Sequence, residues 1–332
     1  MKVSVIGAGA FGTAMAIAAE RAGNEVVLWA HDPEVATAIK ETGENPDYLP
    51  RMALGQRIQP TSDLEEAARF ADTIFMVVPS HHYREVLANL TKHFERPVKV
   101  ISGTKGIENE SLDRMSEISA DVLGDKLAAF AVLSGPTFAL EAARADPTVA
   151  VIASKDVAFA QEAQQMMSSA AFRLYHSNDV TGVELGGSLK NVIAIAAGVL
   201  EGLGLGSNTN AALITRGLHE ITRLGVALGG RLETFAGLAG MGDLVLTCTG
   251  ALSRNRTVGV LLGQGQKLED ILRDAKFVAE GIKTSKSAKQ LAERHQIEMP
   301  ITSEMYRVLY EGASPREGIQ RLMTRTLKAE VA

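Results

Sequence analysis

A short apolar strand pattern over residues 2–6 runs without a break into Gly7-x-Gly9-x-x-Gly12 and a helical pattern that begins at Ala10. No other stretch constrains the fold as strongly. A β-strand feeding a helix through three glycines presents bare backbone N–H groups and the positive helix end to an anion, and the spacing suits the pyrophosphate of a dinucleotide. Gly7 permits the tight turn, Gly9 lets phosphates approach the main chain, and Gly12 lets the helix pack closely on the strand. Three glycines at this spacing also occur in turns that bind nothing. Here a strand precedes them, a helix follows, and a second strand pattern at 25–29 arrives on schedule.

Up to about Ser177 strand-like and helix-like patterns alternate. Strands are expected at 2–6, 25–29, 73–78, 98–102, 129–134 and 149–153, with helices at 10–22, 33–41, 63–69, 81–93, 110–123 and 156–169. Several strands are nearly continuous apolar runs, as a parallel sheet covered by helices on both faces requires. Residues 43–60, with Asn45-Pro46 and Leu49-Pro50, lack periodicity and read as a long irregular crossover. From Asp179 helical patterns take over, at 180–203, 211–228, 254–262, 284–293, 303–309 and 315–322. The expected fold class is α/β: a Rossmann-type, doubly wound, mostly parallel sheet over residues 1–178, then an all-α domain over 179–332. The ligand cleft is expected between them.

The whole chain, 332 residues with a net charge of -5, has no bulk attraction for nucleic acid or anionic lipid, so an anionic ligand needs a local basic cluster. Cys248 is the only cysteine, which excludes an intrachain disulfide and a cysteine-built zinc site and fits a reducing cytoplasm. The longest apolar stretch, 192–200, is too short to span a bilayer, and no secretory leader pattern opens the chain. A soluble protein is expected. The seven histidines lack metal-ligand spacing, so no metal is expected. Neither a G-x-S-x-G elbow nor a Walker loop is present, which disfavours hydrolase and kinase chemistry.

The end of the second strand, Trp29-Ala30-His31-Asp32, is where a dinucleotide fold meets the adenosine ribose. An acidic group there favours a free 2′-hydroxyl and a basic one a 2′-phosphate, so His31 and Asp32 point in opposite directions. Asp32 equally suits a helix cap before Pro33. Ser102-Gly103-Thr104-Lys105-Gly106 falls at a strand's carboxyl end, the ligand edge of an open α/β sheet; the alternative for Lys105 is a solvated surface lysine. Ser134-Gly135-Pro136-Thr137-Phe138-Ala139 repeats that logic, or is a plain turn into a helix. Within the long apolar helix, Gly186 and Gly187 share a face with Lys190, and their missing side chains are expected to leave room for a ligand beside the lysine stem, with Asn191 a neighbouring polar contact. Close helix packing and a snorkelling lysine are the alternatives. Asp243, among glycines with Thr247 one turn on, reads as a cap or an acid at the site. In Ser253-Arg254-Asn255-Arg256 a good N-cap precedes basic residues that oppose the helix dipole, an arrangement that makes sense facing a phosphate; an exposed basic turn is the alternative.

With GAGAFGTA, LWAHDPE, VVPSH, GTKGIE, SGPTFA, GGSLKNVIAI, GMGDLVLTCTGALSRNR, VAEGI and EMPIT in order over nearly the whole length, the chain resembles the bacterial NAD(P)-dependent sn-glycerol-3-phosphate dehydrogenases. The resemblance implies a homodimeric cytoplasmic enzyme that supplies glycerol 3-phosphate for phospholipid synthesis, using NAD(H) or NADP(H) on a small phosphorylated three-carbon substrate. It implies Lys190 as the proton-transfer residue, with Lys105, Gly135, Thr137, Asp243, Ser253, Arg254 and Asn255 holding substrate. Thr247 joins them by its match to a substrate-site threonine in related eukaryotic enzymes. Ala10, Phe11, His31, Lys105, Ala139, Arg254, Val278 and Glu280 would contact the cofactor, beside Gly7, Gly9 and Gly12. The implied mechanism needs Lys105 and Lys190, from separate halves of the chain, to meet. A β-hydroxy-acid dehydrogenase would share this plan without needing the basic turn at 253–256, and a non-catalytic nicotinamide sensor would need the glycine loop alone.

Overall fold

The computed structural model describes residues 1–274, 277–327 and 329–330. Strands β1 (Lys2–Ile6), β2 (Glu25–Trp29), β3 (Glu44–Asn45), β4 (Leu49–Ala53), β5 (Ile58–Thr61), β6 (Thr73–Met76), β7 (Val98–Ser102), β8 (Leu127–Ser134), β9 (Thr148–Ala153) and β10 (Phe172–Ser177) precede the helical half. Eight of them form one sheet in the order β10-β9-β8-β7-β6-β1-β2-β5, and β3 and β4 make a separate antiparallel ladder. The large sheet is parallel except between β8 and β9.

Alternation along β1 sends Val3 and Val5 into a core with Met15, Leu28 and Phe75, and Ile6 into the opposite core with Ile74, Met76 and Leu87. Burial of both faces is why these strands lack a polar alternation. The chain leaves β1 toward β2 and β5, then returns to β6 on the other side. The order therefore reverses beside β1, and the carboxyl ends of β1 and β6 open a crevice at that switch point.

Residues 43–60 are not an irregular crossover. They hold the β3–β4 hairpin and the edge strand β5, where Pro60 is tolerated because β5 pairs only with β2. Strand β10 was not expected either, although Phe172 and Leu174 alternate inward with exposed Arg173 and Tyr175. The helix expected at 110–123 starts at Met115, since Ile107 and Arg114 bridge across a turn first.

The helical half is built around Val180–Gly202, buried at all but three of its positions. By length and composition this helix could cross a membrane, but its apolar window lies wholly inside the protein. A Cβ at Gly198 or Gly202 would strike the carbonyls of Arg256 or Val260, and one at Gly259 or Gly263 those of Ile195 or Val199. These reciprocal contacts bring the Arg254–Gly263 helix backbone-close to Val180–Gly202. They fix the Ser253–Asn255 turn near Lys190.

Candidate active site

A cleft of about 1090 Å³ runs along the carboxyl edge of the sheet and is closed on the other side by the helical half. The glycine loop forms its floor. Gly7 has φ +117°, and a Cβ there would press on the Val77 carbonyl; a Cβ at Gly12 would run into the Gly7 carbonyl. Gly9 has nothing within 4 Å of where its Cβ would stand, so this glycine keeps open space in front of the backbone. No side chain caps the Ala10–Arg21 helix that follows, and Ala10, Phe11 and Gly12 line the cleft. Uncapped helical N–H groups beside open space fit a dinucleotide pyrophosphate.

At one end lie His31, exposed and edge-on to Trp29 at 5.8 Å, and Asp32. Asp32 caps the Pro33–Thr42 helix, its Oδ1 accepting the Glu34 N–H at 2.9 Å. The hairpin supplies a wall of this end through Tyr48, Arg51 and Met52. Buried Asn45 holds that wall on the glycine loop, donating from Nδ2 to the Ala8 carbonyl and to Thr13 Oγ1, both at 2.8 Å.

The chemistry concentrates where β7 and β8 end against the long helix. Lys190 Nζ donates to Asp243 Oδ1 at 2.6 Å, and Lys105 Nζ donates to Asp243 Oδ2 at 2.6 Å. One carboxylate thus binds two amines that are far apart in sequence. Lys190 also donates to Thr247 Oγ1 at 2.5 Å, and Thr247 donates to the Asp243 carbonyl one turn back. Lys105 reaches the Gly135 carbonyl at 3.3 Å and stands 6.0 Å over the Phe11 ring. Gly135, at φ +145°, presses against Ala150, and its carbonyl also accepts from Thr137 Oγ1 at 3.1 Å. Burial is the main influence on Lys190 and pulls its ammonium down; Asp243 pushes it back up and Lys105 lowers it again, leaving it at about 8. Such an amine holds or gives up a proton near neutral pH.

Ser253 caps its helix by accepting the Arg256 N–H at 3.2 Å, and Arg254 lines the cleft, its charge disfavoured by burial. Asn255 is engaged by protein: it donates to Asn191 Oδ1 at 3.0 Å and accepts the Gly281 N–H at 2.9 Å. Ala139 starts an uncapped helix, Ala139–Arg144, at the cleft wall. Val278 is exposed at the cleft rim. Glu280, its carboxyl pushed up by burial, accepts Ser80 N–H at 2.9 Å and Ser80 Oγ at 2.5 Å, clasping the two halves together.

Two expectations are corrected. Gly186 and Gly187 do not leave room for a ligand: a Cβ at Gly186 would meet the Ala239–Gly240 backbone, and one at Gly187 would meet Ser134 Oγ and approach the Lys105 stem. Their bareness admits protein, the segment that leads to Asp243 and the Ser134 side chain. Arg256 leaves the cleft as well, paired with Glu201. The hairpin residues Tyr48 and Arg51 were overlooked, because a loop without periodicity gives no signal of which side chains turn inward. Among the described residues no cluster of His, Cys, Asp and Glu could hold a metal ion.

A doubly wound sheet, an open glycine loop leading into an uncapped helix at its switch point, and two lysines sharing one buried carboxylate are the features of a dinucleotide-dependent oxidoreductase. Family models described as the N-terminus and C-terminus of NAD-dependent glycerol-3-phosphate dehydrogenase match residues 2–160 and 179–320. The chain belongs to the NAD-dependent glycerol-3-phosphate dehydrogenase family. It is 49% identical over 330 residues to the glycerol-3-phosphate dehydrogenase (NAD(P)+) of Citrifermentans bemidjiense, covering 99% of this chain and 98% of that one. Identity to the Geobacter sulfurreducens protein of the same name is 51% over 330 residues, with the same coverage. The crystal structure of glycerol-3-phosphate dehydrogenase from Coxiella burnetii superposes with a TM-score of 0.94 at 38% identity, covering 98% of this chain and 99% of that one. A ketopantoate reductase from Ralstonia eutropha, at 18% identity and a TM-score of 0.61, shares the fold alone.

Proposed function

We propose that this chain interconverts dihydroxyacetone phosphate and sn-glycerol 3-phosphate with NAD(H) or NADP(H), and that Lys190 is its proton-transfer residue. The observation that carries the reading is the single carboxylate, Asp243, bound to amines from both halves of the chain. When bound, the nicotinamide cofactor supplies or accepts the hydride at C2 of the substrate. The backbone amides of Ala10 and Phe11 hold its pyrophosphate, Gly7, Gly9 and Gly12 shape that cradle, and His31, Lys105, Ala139, Arg254, Val278 and Glu280 contact it further.

In ketone reduction Lys190 gives its proton to the oxygen at C2. The developing alkoxide is far more basic than an ammonium, so the lysine need only be charged. Asp243 favours that charged form, and Thr247 fixes the amine's direction. Lys105 adds a second positive charge for the oxyanion, or grips the phosphate. Ser253, Arg254 and Asn255 sit at a helix N-terminus, where a guanidinium fork and main-chain N–H groups hold a phosphate. Binding there orients C2 for reaction. Gly135 and Thr137 complete the substrate wall.

Residues 1–178 form the cofactor half and 179–332 the substrate and dimerisation half of a cytoplasmic homodimer whose product feeds glycerophospholipid synthesis. The test is cofactor oxidation with dihydroxyacetone phosphate, run with NADH and NADPH separately. Turnover with the phosphorylated ketone and far less with dihydroxyacetone is expected. No oxidation with either cofactor would overturn the reading.

A further inference from the structure

The Val180–Gly202 helix carries a second buried charge, Glu184, six residues before Lys190 and outside the cleft. Its carboxylate is fully engaged by the other half of the chain. Oε1 accepts the Ser116 N–H at 2.8 Å; Oε2 accepts Ser116 Oγ at 2.7 Å and Arg114 Nη1 at 2.9 Å. The acid therefore sits on the first turn of the Met115–Leu123 helix, where the N–H groups and the dipole favour a negative charge. Arg114 also donates to Thr181 Oγ1 at 2.9 Å, so its guanidinium bridges two residues one turn apart on the lysine helix.

This grip lies close to Lys105 along the chain. Arg114 bridges to Ile107, and Glu108 N–H bonds the Asp113 carbonyl at 3.0 Å, which closes residues 107–114 into a rigid turn directly after the Lys105-Gly106 loop. One helical turn beyond Glu184, Ser188 Oγ is shared between the Gly106 carbonyl at 3.2 Å and the Glu184 carbonyl at 2.7 Å. Gly187, between these two anchors and one turn before Lys190, is where the Lys105 stem passes. A buried ion pair is poor value as a stabiliser compared with apolar packing, and its best-attested use is to fix a register. Here the register is that of one lysine-bearing element against the other.

We propose that Glu184 is a positioning residue: by holding the Arg114–Ser116 turn, with Ser188 on Gly106, it sets where the Lys105 amine stands relative to Lys190 across Asp243. This rests on reading Lys105 and Lys190 as the reactive pair. The glycine loop at 7–12 and the Ala10–Arg21 helix, which carry the pyrophosphate in that reading, are other elements and do not depend on the link.

The test compares Glu184→Gln, Ser188→Ala and Lys190→Ala with Glu184→Gln/Lys190→Ala in the full-length protein. A misplacement of about 1 Å costs up to roughly 100-fold in rate, so Glu184→Gln is expected to lose about 10- to 100-fold in kcat while NADPH affinity, read by fluorescence titration, stays within about two-fold. Adding Glu184→Gln to Lys190→Ala should cost nothing more, because no Lys190 amine is left for Lys105 to be set against. A merely structural role would lower kcat equally in both backgrounds, and that result overturns the proposal, as does normal kcat in Glu184→Gln. Should Glu184→Gln fail to fold, Ser188→Ala replaces it with a smaller loss and the same dependence on Lys190; undiminished kcat there overturns the proposal too. Normal turnover by Lys190→Ala alone would instead sink the lysine reading beneath it.

Discussion

Replacing Asp243 by asparagine leaves two lysine amines facing one neutral amide. In the native site each amine is 2.6 Å from a carboxylate oxygen. At an effective dielectric of about 20, opposite unit charges at that separation attract by about 6 kcal/mol, and breaking one side of a buried pair costs about 3–5 kcal/mol. With about 1.4 kcal/mol per pKa unit, the lower figure moves Lys190 down by roughly two units from its native value of about 8. The sign follows from the charge: an ammonium that loses its counter-ion gives up its proton more readily. Ketone reduction needs that ammonium, so at neutral pH, where the charged fraction drops from about nine-tenths to about one-tenth, the rate should fall by about 10-fold and recover as the solution is acidified. Lys105→Met removes a like charge that lowers Lys190, and its effect has the opposite sign. The assay is the pH profile of kcat/KM for dihydroxyacetone phosphate at saturating NADPH. The native rate should decline as pH rises through about 8, with the limb shifted to acid in Asp243→Asn and to alkali in Lys105→Met. An unmoved limb in Asp243→Asn, or an acid shift in Lys105→Met, would refute the electrostatic account.

Gly9→Ala meets open space and should leave the melting temperature unchanged while weakening cofactor binding, whereas Gly12→Ala meets the Gly7 carbonyl and should cost about 1–3 kcal/mol of stability; thermal melts and fluorescence titration separate the two. Arg254→Leu removes a charge-assisted contact of about 1.5–3 kcal/mol, so the preference for phosphorylated over unphosphorylated ketone should fall by about 10- to 100-fold in kcat/KM. Glu220 caps the Pro300–Tyr310 helix through the Ile301 and Thr302 N–H groups, and burial pushes its carboxyl up to about 7. The folded state therefore holds this proton more tightly than the unfolded chain, and stability present below about pH 4.5 is lost as pH rises through about 7, by up to about 3 kcal/mol. Chemical denaturation across that range should show the slope in the native protein and a flatter one in Glu220→Gln.

The cofactor half was legible because its signals are local. The glycine loop and the apolar strands declare themselves within a few residues: Gly7 has the positive φ of a tight turn, Gly12 sits against the Gly7 carbonyl, and Gly9 faces open space. The 43–60 segment was not legible, since β3 and β4 are short and β5 takes its order from β2 rather than from its own alternation. Lys105, Lys190 and Asp243 could each be picked out, but nothing in the sequence says that one carboxylate is shared by both amines. That depends on glycines admitting backbone at Gly186 and the Ser134 side chain at Gly187, with the Lys105 stem packed alongside. A clue to the helical half did exist in plain view: Gly198 and Gly202, and Gly259 and Gly263, repeat the same four-residue interval on the two helices that cross most closely. Glu184 gave no signal, because an acid in an apolar helix looks the same whether it caps a partner or faces a ligand.

The most direct test of the central claim is turnover of dihydroxyacetone phosphate by Lys190→Ala, with NADPH affinity measured on the same preparation. A loss of kcat by orders of magnitude with cofactor affinity intact is the result the shared-carboxylate site requires. A folded variant that turns over near the native rate would show that the proton comes from elsewhere.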